Sequence, residues 1–294
     1  LLADRFVPGA GWVQIVALSL YGALLVRLML ISADTSIVRI RIWLAFSIVF
    51  FTQFILGVAG IDKLLMTGNL HIPIPAVVVA GPLFRGERFF MPILFLSTVV
   101  LVGPAWCSHL CYIGGWDGLS ARARKRPAKL PRAWRYVRLS IFILTPSLAL
   151  LFRYTGVPGM TAAYVAIAFG VVSLGVMALV STRTGVMVHC TSICPLGLLG
   201  NVLGKISPFR FRIGAGCTDC GRCAAACRYD ALSPAQISAR RPGNTCTLCG
   251  DCLSACRDGA LGYRFLSLSP HASRILFLVI IVSLHAVFLG VARI

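Results

Sequence analysis

Residues 217–256 read CTDCGRCAAACRYDALSPAQISARRPGNTCTLCGDCLSAC. Two runs inside this stretch, CTDCGRCAAAC at 217–227 and CTLCGDCLSAC at 246–256, share the spacing Cys-x2-Cys-x2-Cys-x3-Cys. Such a run wraps three thiolates around one iron–sulfur cubane and sends its fourth cysteine to the neighbouring cluster. The spacing therefore predicts two [4Fe–4S] clusters. Cys217, Cys220, Cys223 and Cys256 hold one, and Cys246, Cys249, Cys252 and Cys227 hold the other. Gly221 and Gly250 give the wrapping loops backbone freedom. Four cysteines also suit zinc, but zinc sites draw on two separated pairs rather than matched four-cysteine runs.

The residue after each fourth cysteine, usually Pro, is Arg228 in one run and Arg257 in the other. A cation there favours the more negative reduced cluster and raises its potential. The alternative is that both arginines face solvent or lipid head groups, where solvent screens them.

The sequence around these runs is apolar. The 294 residues are 58% hydrophobic and 13% charged, with a mean hydropathy of +0.86. Soluble chains carry roughly 25% charged residues. Six stretches approach the length needed to cross a bilayer: 12–31, 42–60, 91–106, 137–152, 161–180 and 275–292. The expected fold is an α-helical membrane protein of about six transmembrane helices, with a small inserted bacterial-ferredoxin-like two-cluster segment. The expected divisions are 1–206, with five helices and two cysteine motifs at the membrane edge, then 207–268 for the cluster segment and 269–294 for the last helix. Between the second and third spans, HIPIPAVVVAGPLF is apolar but broken by Pro73, Pro75 and Pro82, which suits either a re-entrant element or a packed loop.

The formal charge is +19. It gathers in short loops, as in GLSARARKRPAKLPRAWRYVR, where Arg122, Arg124, Lys125, Arg126, Lys129, Arg132, Arg135 and Arg138 meet no acid. That pattern marks a cytoplasmic loop, aided by anionic lipid, and not a nucleic-acid surface. With six spans, both termini and 61–90 then fall outside and the cluster segment falls inside.

Four further cysteines belong to a weak internal repeat. The third span runs into WCSHLCYIGG and the fifth leads to HCTSICPLGLLG. The expected arrangement brings Cys107 and Cys111 to one face with Cys190 and Cys194, as ligands of a further iron–sulfur cluster or as a redox dithiol. Separate pairs of buried free thiols are the alternative. His109 lies inside the first pair and His189 immediately precedes the second, and both read as hydrogen-bonded interface residues. His285, in the last span, reads as a helix-packing residue with no second His at matching depth for haem. His71 is the outer-surface candidate for facing a quinone or a partner. No phosphate loop, dinucleotide fingerprint, nucleophile elbow or metalloprotease motif occurs, and nine acids leave little for paired acid–base catalysis.

These spans, the two motifs and the two-cluster segment together resemble the NapH/MauN/NosR-type membrane polyferredoxin family, from about residue 42 to the end. CTSICP at 190–195 matches the family's Cys-x3-Cys-Pro motif, whereas CSHLCY at 107–112 departs, with Tyr112 in place of Pro. The resemblance implies a bacterial inner-membrane electron-transfer subunit. It would relay electrons between the quinone pool, or a partner redox subunit, and clusters on the cytoplasmic side. It would act as a component of a respiratory complex and not as a stand-alone catalyst. The alternative is a maturation or redox-sensing accessory to a periplasmic redox enzyme. NosR-type members also carry a flavin domain ahead of the spans. The sequence opens on LLADRFVPG, without an initiator Met or a signal-peptide pattern. Residues upstream are compatible with that opening, and a flavin is expected only if they form such a domain.

Overall fold

The computed structural model describes residues 1–64 and 72–291. Among them six helical stretches are long and apolar enough to cross a membrane: Gly11–Ile31, Thr35–Val58, Phe90–Leu110, Ala133–Tyr154, Gly159–Thr184 and Pro270–Gly290. The chain is an α-helical membrane protein, and all six expected spans are present.

Helix α1 (Gly11–Ile31) turns through Ser32 into α2 (Thr35–Val58). The sequence reading began α2 at residue 42; it begins earlier because Asp34 caps it, accepting from the amides of Ser36 and Ile37. The proline-broken stretch forms α3 (Pro75–Arg85), with Pro75 at its first position and Gly86 ending it at φ 77°. Eleven residues reach only about 16 Å, too short to span a bilayer. His71 lies outside the described residues.

The third span is α4 (Phe90–Val102), continued by a 3-10 turn, Gly103–Ala105, and a π turn, Trp106–Leu110. The first cysteine motif therefore ends the span itself rather than following it. Half of this span is buried inside the protein, against 11% for the fourth and fifth, so the motif hangs from the most central helix. Next come α5 (Tyr112–Ala121), α6 (Ala133–Tyr154) and α7 (Gly159–Val176). A π turn, Met177–Ser181, joins α7 to α8 (Thr182–Thr184), where Gly185 stops the helix at φ 71°. Arg135 and Arg138 lie in α6, so the basic loop is shorter than the sequence suggested. A π turn, His189–Ile193, then leads into α9 (Pro195–Leu203).

Strand β1 (Phe209–Ile213) pairs antiparallel with β2 (Leu261–Phe265), Phe209 opposite Phe265 and Ile213 opposite Leu261. Between them lie the cysteine runs with α10 (Arg222–Ala226) and α11 (Pro234–Ser238), and α12 (Pro270–Val291) follows. The hairpin seats this segment on the helices through aromatic contacts. Tyr263 stacks on Phe277 of α12 with ring centroids 4.6 Å apart, and Phe209 meets the same ring edge-on. Large apolar side chains such as Leu20, Leu144 and Val172 face outward along the spans, as lipid contact requires.

Candidate iron–sulfur centres

The two membrane-edge motifs fold alike. Each is a five-residue π turn closed by a long hydrogen bond, from Cys111 N to Trp106 O at 3.0 Å and from Cys194 N to His189 O at 2.8 Å. The closing cysteines have nearly the same backbone, φ −79°, ψ 118° at Cys111 and φ −74°, ψ 120° at Cys194. Each starts the next helix, α5 or α9. Tyr112 thus replaces Pro195 without changing the local geometry. An N-terminal helix residue needs no intrahelical N–H partner, so Pro is favoured there but not required.

The halves converge. A methyl group added at Gly200 of α9 would touch Cys107 Sγ at 3.8 Å. Burial pushes the Cys190 thiol well up, and the Asp117 carboxylate and the thiols of Cys111, Cys194 and Cys107 add to it. Cys194 is pushed up to about 12, by burial and then by Cys111, against the amides of Gly197 and Leu196. Cys111 is raised by burial while the amides of Gly114 and Ile113 oppose the shift. Four thiols so placed ionise only against a cation, and soft thiolates suit iron.

Helix α2 holds the first motif along one face. Arg39, Trp43 and Ser47, four residues apart, donate to the carbonyls of Ser108 at 2.7 Å, Cys111 at 2.6 Å and Tyr112 at 2.6 Å. Asp117 of α5 holds the second motif. It accepts from Ser181 Oγ at 2.7 Å and Cys190 N at 2.9 Å, and burial lifts its carboxyl to about 6. The sequence reading did not single out Arg39, Trp43, Ser47 or Asp117. The signal was an Arg in a largely apolar helix with hydrogen-bond donors, Trp43 and Ser47, at its i+4 and i+8 positions.

In the inserted segment both wrapping loops adopt the same left-handed turns, at Asp219 (φ 55°) and Gly221 (φ 73°) in one and at Leu248 (φ 56°) and Gly250 (φ 77°) in the other. Cys227, Cys246, Cys249 and Cys252 together line one cavity. The spacing assigns these four to one cluster. Burial lifts Cys227, Cys246 and Cys249 to about 12 each. Cys223 is raised by burial and by its neighbours Cys217 and Cys256, and Cys220 is exposed on the loop between Cys217 and Cys223. The inner quartet is therefore shielded and the outer one reaches the surface.

A cluster fits the inner cavity on the chemistry of its lining. Tyr229 Oη and Thr247 Oγ1 both belong to residues lining it, both are buried, and neither has a hydrogen-bond partner among the described residues. Buried hydroxyls are ordinarily paired, and cluster sulfurs are acceptors.

The segment is bolted to the membrane-edge motifs. Arg39 Nε and Nη2 donate to Asp251 Oδ1 and Oδ2 at 2.8 and 2.7 Å, with both side chains buried. Ser108 Oγ donates to Thr247 O at 2.9 Å. Arg228 is half-buried and turned onto the basic loop. Its Nη1 donates to the carbonyls of Ala121, Arg124 and Gly185, and its Nη2 to that of Lys125, at 2.8–3.2 Å. It clamps the segment to the basic loop, so both lie on one side of the molecule. Arg257 is exposed, as the alternative reading had it. His109 Nδ1 meets Ser108 Oγ at 2.9 Å, and His285 Nε2 meets Tyr21 Oη at 3.1 Å. His285 thus joins α1 to α12, as expected of a packing residue. Both nitrogens of buried His189 are without a partner among the described residues.

A family model described as a 4Fe-4S binding domain matches residues 84–131 and 166–214. The match falls on the membrane-edge repeat. Each matched stretch holds one π turn that carries a cysteine motif, with Cys107 and Cys111 in the first and Cys190 and Cys194 in the second. Among curated proteins the chain is similar to one named "Putative electron transport protein YccM" from Escherichia coli (strain K12), 26% identical over 203 residues. That alignment covers 60% of this chain and 56% of the relative, so the chain spans little more than half of it. No solved structure matches. The family match supports iron–sulfur binding by this chain.

Proposed function

We propose that this chain is a membrane electron-transfer subunit of the NapH/MauN/NosR type, relaying electrons between the quinone pool or a partner redox subunit and iron–sulfur centres on the cytoplasmic side. The observation that carries this reading is Tyr229. Its buried ring packs in one cluster of side chains with Cys190 of the membrane-edge quartet and with Cys227, Cys246 and Cys249 of the inner quartet. Cysteines of both sites therefore share one packed cluster with Tyr229, and the outer quartet continues the series to the surface.

Bound iron–sulfur clusters supply one-electron carriers. The chain's own residues hold them in series. Cys107, Cys111, Cys190 and Cys194 would ligate the centre nearest the bilayer, and the two runs would ligate the other two. Trp43, Tyr229 and Tyr263 keep water away from the inner sites. Exposed Cys220 marks where a soluble partner approaches.

In liposomes, added quinol or a co-purified redox subunit is expected to bleach the visible absorption of the oxidised clusters. Clusters that neither reduces would remove the relay reading and favour the accessory role. A reporter fused near Lys129 is expected to read as cytoplasmic by the positive-inside rule. A periplasmic reading there would invert the proposed orientation, because Arg228 ties that loop to the cluster segment.

A further inference from the structure

Arg132 and Arg135 are exposed, as loop and surface cations should be, but Arg138 one turn further along α6 is turned inward. Its Nε and Nη2 are buried and have no hydrogen-bond partner among the described residues. The ionisable groups near enough to act on its charge are Cys107 and Cys194, one from each half of the repeat. The π turn His189–Ile193 and α9, which carry the second motif, pack against α6. A guanidinium keeps its proton under all ordinary conditions. Buried without an anion it is costly, and buried charges are paired. Four neutral thiols would not pair it. Four thiolates on an iron–sulfur core would, since that assembly is a dianion when oxidised and a trianion after taking up one electron.

We propose that Arg138 is the fixed counter-charge of the membrane-edge centre, donating through Nε and Nη2 to its sulfurs and raising its potential. This rests on the reading that Cys107, Cys111, Cys190 and Cys194 hold such a centre. Uptake of an electron adds one negative charge beside the guanidinium and needs no proton. The cation therefore favours the reduced form, and poor screening at a buried site keeps the effect at high salt. The other two centres lie in the inserted segment and are not expected to respond.

The test is a redox titration of the purified chain followed by electron paramagnetic resonance, with metal analysis, for the wild type, Arg138→Gln and Arg138→Lys. The expected result for Arg138→Gln is a third signal whose reduction equilibrium falls about tenfold, or 59 mV for one electron. Arg138→Lys should fall less, and the two ferredoxin-like signals should stay in place in both. Loss of the third signal in Arg138→Gln with retention in Arg138→Lys would also support a charge role. A third signal that does not move in Arg138→Gln would overturn the counter-charge while leaving the centre itself standing. Loss of that signal in both variants would reject a charge role in favour of a geometric one. A wild type with iron for two clusters and no third signal would overturn both readings together.

Discussion

Arg39→Met is expected to lower the stability of the folded protein by about 3–5 kcal/mol, the usual cost of breaking a buried ion pair from one side. The cost is that high because removing the arginine strands Asp251 as an unpaired buried charge and leaves the Ser108 carbonyl without its donor. Asp251 lies in the second cysteine run, between Cys249 and Cys252, so the damage should reach the inner quartet as lost iron. Thermal unfolding in detergent with iron analysis measures both. A paired variant, Arg39→Met with Asp251→Leu, should recover much of the stability because no charge is left buried. A single variant that melts with the wild type would show that the ion pair does not hold the segment to the helices.

Replacing Cys107 and Cys194 together by Ser is expected to abolish one cluster's spectroscopic signal and leave the two ferredoxin-like signals intact. Serine is close in size but is a harder and far less acidic ligand. The two residues come from different halves of the repeat, yet both belong to one packed core. If they served two separate sites, each half would keep its own partner cysteine and the loss would be partial. If iron content and spectra did not change, the four thiols would be packing groups, and the relay would have no step at the membrane edge.

Much of this architecture can be read from local pattern. Long apolar runs become spans because no other structure satisfies the backbone in lipid, and the left-handed turns at Gly221 and Gly250 follow from the cysteine spacing they serve. The repeat WCSHLC and HCTSIC was visible too. Its five-residue π turns were not, since a single widened turn leaves no periodicity. The supports of the sites were also hidden. Arg39 and Asp251 are 212 positions apart, and Asp117 reaches Cys190 across 73. Such partners meet only once the helices pack. Arg138 looked like an ordinary member of a basic stretch, and Arg228 stood out only as the replacement for Pro after a fourth cysteine. Each acquires its role from carbonyls or thiols brought in by another element.

The central claim is that three cysteine quartets each hold a [4Fe–4S] centre. Metal analysis of anaerobically purified protein, with Mössbauer spectroscopy of the same sample, tests it most directly. Three quartets predict about twelve iron atoms per chain, all in cubane clusters, by the count of four thiolates to each. About eight irons with no third cluster would contradict the membrane-edge centre, and stoichiometric zinc without iron would contradict the whole account.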